Sequence, residues 1–458
     1  MSSPGYTVGP RTVNVVFFAL VLTGFAVAAV RQVTWTPPAG AEDPAAPMRA
    51  LGLGIVDSAE SAVTLAIGLI GVMALFLGLM KVAEEGGLMR IVAKALRPLM
   101  IRLFPEVPAE HPAMGAMIMN LSANLLGLGN AATPFGIRAM QQLDTLNPHK
   151  GTATNAMALF LAMNTSSVTL LPTGVIALRA SAGSSDPAGI VPTTLAATII
   201  STTVAITTAK LLQRYWALPG VEPASVAPTG ASAAEVSPEV ASDEADSADS
   251  TATPPVEAGA YPLWVSLLIL TGVGTLIPLT VLYGRAIAPW IIPALVVLLL
   301  GFGAAKRVRV YEVFVEGAKD GFNVALRIIP YLVAILVAVA MLRESGALEL
   351  LIDPLSRITR QFGLPGEALP MALLRPLSGS GAYGILASII QDPSVGPDSY
   401  TGYLVSTFQG STETTFYVLA VYFGAVQIRR IRHALAAALC ADVAGIAGAV
   451  AVTSYLYG

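Results

Sequence analysis

The stretch QGSTETTFYV, residues 409–418, places one carboxylate in the middle of a long apolar segment. Apolar residues continue on both sides, as YTGYLVSTF at 400–408 and YVLAVYFGAV at 417–426, and the nearest basic residue along the chain is Arg429. An ionisable side chain inside a membrane span is costly and is a functional-site hypothesis by default. Glu413 therefore raises two questions: whether the chain lies in a membrane, and what would partner this acid there.

Composition answers the first question. The chain is 54% hydrophobic and 12% charged, whereas soluble domains carry roughly 25% charged residues. A membrane-spanning helix needs about 20 predominantly apolar residues. Nine segments qualify, the last two only if one interior charge is allowed: 12–30, 61–80, 155–178, 191–209, 262–283, 286–305, 434–456, 322–342 and 401–427. The sequence thus predicts an all-α polytopic membrane protein with about nine spans.

Several function classes are not supported. The net charge of −3 comes without a basic patch, so no nucleic-acid partner is predicted. The single cysteine, Cys440, and three scattered histidines offer neither a disulfide framework nor metal-ligand spacing. No P-loop, HExxH or GxSxG motif is present, and no paired carboxylates suit hydrolysis. The prediction is a protein that is not an enzyme, with no cofactor and no metal site.

The segment 218–260 differs sharply from the rest of the chain. It contains eight acidic residues, no basic residue and no aromatic residue among Pro, Ala, Ser and Thr. Such a segment buries too little apolar surface to offset the entropy of ordering it. It is therefore predicted to be a disordered acidic linker between two membrane halves, residues 1–217 and 261–458.

The two halves resemble each other in the order of their motifs. Ser122 in NLSAN aligns with Ser378 in RPLSGS, at the same distance from an upstream proline. Further on, FLAMNTSSVTLLP at 160–172 aligns with VSTFQGSTETTFY at 405–417. The shared order favours a duplication. The Ser/Thr-rich element therefore occurs in both halves, at 160–172 and 405–417. An acidic residue, Glu413, is present only in the second of these elements.

Basic residues at span ends indicate the orientation. Clusters follow the second span, follow 286–305 and precede the last span. All three lie inside if the N-terminus is cytoplasmic and if 111–130 and 370–390 do not cross fully. The linker is then cytoplasmic and the halves form inverted repeats, a recurrent transporter design. The segments 111–135 and 370–392 are read as re-entrant hairpins, with helix packing through small residues as the alternative.

The candidate site combines these hairpins with the two Ser/Thr-rich elements. In a continuous helix Gln409 and Glu413 share a face at a spacing of four. An ion pair of Glu413 with Arg375 or Arg327, or an interfacial position, is the alternative, and Asp442 is assigned to topological anchoring. The predicted substrate-binding set is Asn120, Ser122, Asn124, Asn130, Asn164, Ser166, Arg375, Ser378, Ser380, Gln409, Ser411, Thr412, Glu413 and Thr414.

The motifs also resemble a known family. NLSANLLGLGNAATPFGIRAMQQLDTLNP at 120–148 is similar to spore maturation protein A. RPLSGSGAYGIL at 375–386, GPDSY at 396–400 and QGSTETTFYVLAVYFGAVQIRRIRHAL at 409–435 are similar to spore maturation protein B. Both are classed with the nucleoside-recognition, or Gate, domain, which concentrative nucleoside transporters and ferrous iron transporters share. The resemblance implies an inner-membrane protein with a transporter-like core and a link to spore maturation.

Two functions follow as expectations. The first is a secondary transporter or channel for a small polar solute, and the second is a non-transporting scaffold or sensor for envelope and peptidoglycan maturation. The predicted partners are the lipid bilayer and a small polar solute, with a coupling cation and a homo-oligomer left open. The substrate is not given by fold-level similarity.

Overall fold

The computed structural model of this protein describes residues 11–36, 46–216 and 261–458. The predicted acidic linker at 218–260 lies outside the described residues. Where the chain is described it is almost entirely helical, and it contains no β-strand there. One isolated parallel bridge, between Thr152 and Arg430, joins the two halves. The prediction of an all-α chain is therefore confirmed for these residues.

The described part of the first half forms eight α-helices and one 3-10 turn at Pro187–Gly189. The helices are α1 (Arg11–Val33), α2 (Pro47–Glu85), α3 (Leu88–Leu103), α4 (Pro112–Leu125), α5 (Gly129–Thr145), α6 (Asn155–Thr165), α7 (Thr173–Ser181) and α8 (Ile190–Leu212).

The second half has the same succession of long and short helices where it is described. They are α9 (Leu263–Ala305), α10 (Val310–Ser345), α11 (Ala347–Thr359), α12 (Leu369–Leu374), α13 (Gly379–Gln391), α14 (Tyr400–Ser411), α15 (Thr415–Gly424) and α16 (Ala434–Tyr457). Two 3-10 turns, Arg360–Phe362 and Gly366–Ala368, connect α11 to α12.

Length and apolar composition mark out the helical segments that suit a membrane. Among the described residues three meet both criteria for crossing it, namely Pro47–Glu85, Pro187–Leu212 and Ala434–Tyr457. Shorter apolar helices occupy Phe17–Val33, Trp290–Ala305 and Gly381–Gln391. Exposed apolar side chains such as Phe18 and Trp290 suit contact with lipid, as expected if these helices lie in a membrane.

The nine predicted spans do not correspond to nine separate helices. The segments 155–178 and 401–427 are each interrupted, between α6 and α7 and between α14 and α15. The segments 262–283 and 286–305 instead run together in the 43-residue helix α9. The first two breaks fall on the Ser/Thr-rich elements, whose side chains compete for backbone hydrogen bonds. In α9, by contrast, the intervening residues Gly284 and Arg285 do not end the helix.

Both predicted hairpins fold as two helices joined by a short turn. Helix α4 packs against α5 across the turn at 126–128, and α12 packs against α13 across 375–378. His111 caps α4 by accepting from the Ala113 backbone N–H (3.2 Å), and Ser378 caps α13 by accepting from Gly381 N–H (3.0 Å). The first hairpin extends ten residues beyond its predicted end at 135, because α5 continues to Thr145.

The halves are held together by two pairs of long helices. Helix α2 packs along α10, and α8 packs along α16. Small residues allow the backbones to approach closely, since a Cβ atom on Gly321 would lie 2.6 Å from the Ala74 Cα atom. Buried alanines serve the same purpose between α8 and α16: Ala205, Ala209, Ala437, Ala438 and Ala441. The long helices of each half therefore pack mainly against long helices of the other half.

A buried arginine links the connecting segments of the two halves. The Arg179 side chain is fully buried and forms an ion pair with Asp398 at 3.0 Å. It also donates to the Pro397 carbonyl at 2.5 Å and to the Ser184 hydroxyl at 3.1 Å. The guanidinium carbon lies 4.2 Å from the centre of the Tyr403 ring, a cation–π distance. We call this group the Arg179 cluster.

The carboxylate of the Arg179 cluster is held in its charged form. Burial opposes the charge of Asp398, but hydrogen bonds from Ser184 and Ser185 and the Arg179 charge outweigh burial and lower its pKa. A carboxylate with a lowered pKa stabilises the folded state at pH values above its unfolded pKa, and this contribution is lost as the pH falls through the folded pKa. The cluster therefore stabilises the contact between the halves at neutral pH.

Candidate functional site

Two interrupted helices meet at their breaks, and the place where they meet is called the crossing. The break at 166–172 separates α6 from α7, and the break at 412–414 separates α14 from α15. The Glu413 backbone N–H donates to the Thr165 carbonyl at 3.0 Å, so the breaks touch directly. Backbone groups freed by a break need other partners where no water is present. Here a backbone N–H in one break is paired with the carbonyl at the end of the helix that precedes the other break.

Each break is also bonded to a hairpin turn. The Leu170 N–H donates to the Leu125 carbonyl (2.9 Å), and the Phe416 N–H donates to the Pro376 carbonyl (3.1 Å). Both hairpin turns therefore converge on the crossing. This convergence brings together polar side chains that are up to about 300 residues apart in sequence, as for Asn120 and Tyr422.

The first polar group at the crossing is an amide cluster. Asn120 donates to the Tyr422 hydroxyl at 3.1 Å and to the Ala132 carbonyl at 2.7 Å. The Asn164 Oδ1 atom accepts from Asn124 Nδ2 (3.0 Å) and from the Tyr422 hydroxyl (3.3 Å). Three of the predicted asparagines, Asn120, Asn124 and Asn164, therefore belong to one hydrogen-bonded network. Tyr422 is its fourth member. Sequence reasoning missed Tyr422, which carries no signal in its apolar run.

The second polar group surrounds Arg375 and is called the charged cluster. Its buried guanidinium donates to the Thr414 hydroxyl (3.1 Å) and the Gln409 carbonyl (3.2 Å). It lies 3.6 Å from the Glu413 carboxylate, whose side chain is half exposed. The ion pair that the sequence offered as an alternative is therefore present. It is formed by the two residues that were also predicted to bind solute.

The predicted shared face of Gln409 and Glu413 is wrong. Helix α14 ends at Ser411, so Glu413 lies in the break and the spacing of four does not apply. Thr412 has an extended backbone, which turns the chain away from the helix axis. The acid is consequently presented beside the partner break and the hairpin turn, and not on a helix surface.

Several predicted site residues are engaged locally. The hydroxyls of Ser122, Ser166, Ser411 and Thr412 donate to carbonyls of their own helices, at 2.7–3.4 Å. Ser378 is the cap of α13. These five side chains stabilise helix ends and breaks. The side chains of Asn130 and Ser380 lie outside what the structure describes.

Asp442 joins the charged cluster although the sequence assigned it to anchoring near the end of a span. It lies about a third of the way along α16 and is only 3% exposed. Its Oδ2 atom accepts from the Thr415 hydroxyl at 2.7 Å, directly after the break. The assignment to anchoring is therefore wrong, because position along a span does not reveal which helices cover it.

Four buried polar atoms at the crossing have no hydrogen-bond partner in the described part of the chain. They are Asn120 Oδ1, Arg375 Nε, Gln409 Oε1 and Asp442 Oδ1. Buried polar atoms are usually paired, and each exception calls for an explanation such as a bound ligand, ion or water. They are four of the eleven such atoms in the described residues, and because they belong to residues that meet at the breaks, the crossing is the candidate site.

Cavities among the described residues include two that lie away from the crossing. One, of about 650 Å³, is lined by Gln141, Asp144, Lys150, Gly151, Ala425, Val426, Gln427 and Arg429. The other, of about 520 Å³, is lined by Asp57, Glu60, Ser61, Thr64, Gly68, Ser181 and Gln391. Neither of these two includes a predicted substrate-binding residue. Within the described ranges, no three His, Cys, Asp or Glu side chains group as metal ligands would.

Gly136 offers a test of the amide cluster. A Cβ atom there would overlap the Tyr422 hydroxyl, whereas one on Gly115 would meet open space. We expect Gly136→Ala to displace Tyr422 and to destabilise the protein by about 1–3 kcal/mol, the usual cost of overpacking. Gly115→Ala is expected to be neutral or stabilising by up to about 1 kcal/mol, since it lies within α4. Thermal unfolding of both purified variants measures the difference, and equal midpoints would contradict the assigned contact.

Comparison with known proteins gives the family. The family model described as Gate, nucleoside recognition, matches residues 66–182 and 325–429. Spore maturation protein B of Bacillus subtilis is 45% identical over 167 residues, which cover 93% of that protein and 36% of this chain. This chain belongs to the spore maturation protein family. Spore maturation protein A of B. subtilis is 46% identical over 162 residues, covering 81% of that protein and 35% of this chain, and it matches a different part.

Two further similarities are weaker. The inner membrane protein YjiG of Escherichia coli K12 is 32% identical over 84 residues, which cover 55% of that protein and 18% of this chain. Among solved structures, CNTnw in an inward-facing substrate-bound state has a TM-score of 0.41 at 15% identity, covering 96% of this chain and 98% of that one. Membership of the spore maturation family and the apolar helices together indicate a membrane protein.

Proposed function

We propose that this member of the spore maturation family is a secondary transporter or channel for a small polar solute in the bacterial inner membrane. The crossing of the two breaks carries the proposal. It combines a half-exposed acid, a buried arginine and four buried polar atoms that have no hydrogen-bond partner among the described residues. Polar sites at broken helices near the middle of a bundle are how many transporters bind their substrates.

The proposed architecture is a pair of inverted repeats. Helices α2 to α8 and α10 to α16 follow the same order, with a hairpin before an interrupted helix in each. The contacts between the halves are also symmetric: α6 of the first half packs on α16 of the second, and α14 of the second half packs on α8 of the first. The proposed topology keeps the N-terminus and the 218–260 segment cytoplasmic. The protein is also proposed not to be an enzyme.

The solute class follows from the groups that would contact it. Amides, hydroxyls and one exposed carboxylate suit a solute with hydroxyl or amino groups. A thermal-shift panel of nucleosides, amino acids and peptidoglycan fragments on the purified protein would identify it, because a ligand that binds only the folded state raises the unfolding midpoint. A positive compound then becomes the solute for flux measurements in liposomes.

Glu413→Gln is the decisive variant. We expect it to abolish or uncouple flux of that solute while leaving insertion and folding intact, because the amide keeps the shape of the side chain and removes its charge. Glu367→Gln is the matched control: it is also 50% exposed and paired with an arginine, at 3.5 Å, but it lies outside the crossing. Wild-type flux through Glu413→Gln would overturn the assignment.

A non-transporting scaffold or sensor for envelope maturation is the second candidate. The extensive packing of α2 on α10 and of α8 on α16 favours it, because this packing would hold the halves together without any transport cycle. It predicts no solute flux for any compound in the panel, together with retained binding of envelope proteins by the wild type. Flux that depends on Glu413 would exclude it.

A further inference from the structure

We propose that Asp442 binds a proton that the protein takes up on one side of the membrane and releases on the other. The proposal rests on the transport function above and assigns it a coupling ion. It also adds a residue to the crossing for which the sequence suggested only anchoring.

The surroundings of Asp442 carry the argument. Its side chain is 97% buried, and one carboxylate oxygen accepts a single hydrogen bond, from Thr415. The other oxygen, Oδ1, has no hydrogen-bond partner within the part of the chain that the structure describes. No ion pair to Asp442 occurs in the described ranges. A buried carboxylate without a cation in contact is destabilised in its charged form and favours the proton-bound form.

The charged groups around Asp442 are few. Helix α16 packs against α6, α8, α14 and α15. Three of these, α6, α14 and α15, carry no carboxylate, histidine, lysine or arginine, and α8 carries only Lys210, which donates to the Leu103 carbonyl at 2.7 Å. The break and the hairpin turn contribute Glu413 and Arg375. Of these two, Arg375 is the cation, and it donates to the Thr414 hydroxyl, next in sequence to the Thr415 hydroxyl that donates to Asp442.

Arg375 is therefore the cation that can pair with either of two acids, Glu413 or Asp442. It pairs with Glu413 at 3.6 Å and donates to the Thr414 hydroxyl with the same guanidinium, while its Nε atom has no hydrogen-bond partner in the described ranges. As long as Glu413 engages Arg375, Asp442 lacks a counter-ion in contact and retains its proton. When a solute displaces Glu413 or the break moves, Arg375 is free to neutralise Asp442. The carboxylic acid then gives its proton to water and becomes a carboxylate.

A proton fits this place better than a metal ion does. Hard divalent cations take about six or more oxygen ligands, and Asp442 has one hydroxyl as its only contacting polar partner among the described residues. A proton needs only one oxygen, and Oδ1 is available. The ligand class is thus a hydrogen ion supplied by the solvent, and the step requires no other reactant.

Infrared difference spectroscopy on the full-length protein in liposomes tests the inference without any solute. We expect a carboxylic-acid C=O stretching band near neutral pH that disappears in Asp442→Asn and persists, at a changed frequency, in Asp442→Glu. Asp353→Asn is the control, because Asp353 is exposed on α11 and lies outside the crossing. Glu413→Gln should weaken the band, since it frees Arg375 to pair with Asp442.

The outcomes separate the two proposals. A band that survives unchanged in Asp442→Asn, or a band unaffected by Glu413→Gln, overturns the proton assignment even if the protein transports. A band assigned to Asp442 in a protein that moves no solute leaves the proton site standing and overturns the transport function. In a transporting protein, Asp442→Asn should lose accumulation driven by a proton gradient and retain downhill exchange. Unchanged gradient-driven accumulation would overturn the inference.

Discussion

Gly127→Ala is expected to lower the free energy of unfolding by about 3 kcal/mol or more, because the new methyl group meets backbone strain and overlap together. Gly127 forms the turn between α4 and α5 with φ of 76°, a left-handed conformation that side chains disfavour. A Cβ atom there would also overlap the Leu171 carbonyl oxygen, which belongs to the first break and cannot rotate away. The substitution would push the hairpin turn off the break.

Gly183→Ala is the matched control for Gly127→Ala. Gly183 has φ of 77°, and a Cβ atom there meets nothing within 4 Å. Only the strain applies, so we expect a loss of about 1–2 kcal/mol. Thermal unfolding of the two detergent-purified variants separates strain from contact. Equal losses would mean that the hairpin turn does not press against the break.

Arg179→Ala should have the second large effect, a loss of about 3 kcal/mol or more, as for breaking a buried charge pair. The substitution removes the partner of Asp398 and leaves the Pro397 carbonyl and the Ser406 hydroxyl without a donor. It also empties the space above the Tyr403 ring. Arg179→Lys should recover only part of the loss, because an ammonium group cannot replace a planar fork that bonds several acceptors at once.

Arg343→Ala provides the comparison for Arg179→Ala. Arg343 is 49% exposed and pairs with Glu344 and Asp392 at 3.5 and 3.4 Å. Exposed pairs contribute at most about 1 kcal/mol, so we expect a loss no larger than that. Unfolding midpoints of both variants at neutral pH provide the measurement. A loss of stability for Arg343→Ala as large as that for Arg179→Ala would contradict the larger contribution assigned to the buried Arg179 cluster.

The sequence predicted the helical class and the family well, because both depend on local information. Apolar runs of spanning length have few alternatives to a helix, and long motifs such as 409–435 identify relatives directly. The two hairpins were also predictable, since glycine and serine at 378–381 and asparagine at 120–124 mark turns and polar surfaces. These signals lie within a few residues of the features they predict.

The geometry of the site was less predictable. The breaks fall inside segments that hydropathy presents as continuous, and a helix opens there because the other half supplies the missing hydrogen bonds, as between Thr165 and Glu413. Tyr422 and Asp442 belong to the site for the same reason: their partners come from distant helices. A single sequence records the polarity of such residues but not which helices cover them.

The pairing of α2 with α10 and of α8 with α16 has a consequence for biosynthesis. The first half leaves the ribosome before α10 and α16 have been synthesised. The faces of α2 and α8 that later pack against them are therefore in contact with lipid until then. The contacts that join the halves span more than 200 residues, as between Ser201 and Ala441, and contacts that distant form slowly. The pairing of α2 with α10 therefore follows the insertion of α10, and the pairing of α8 with α16 begins only when the last helix has been inserted.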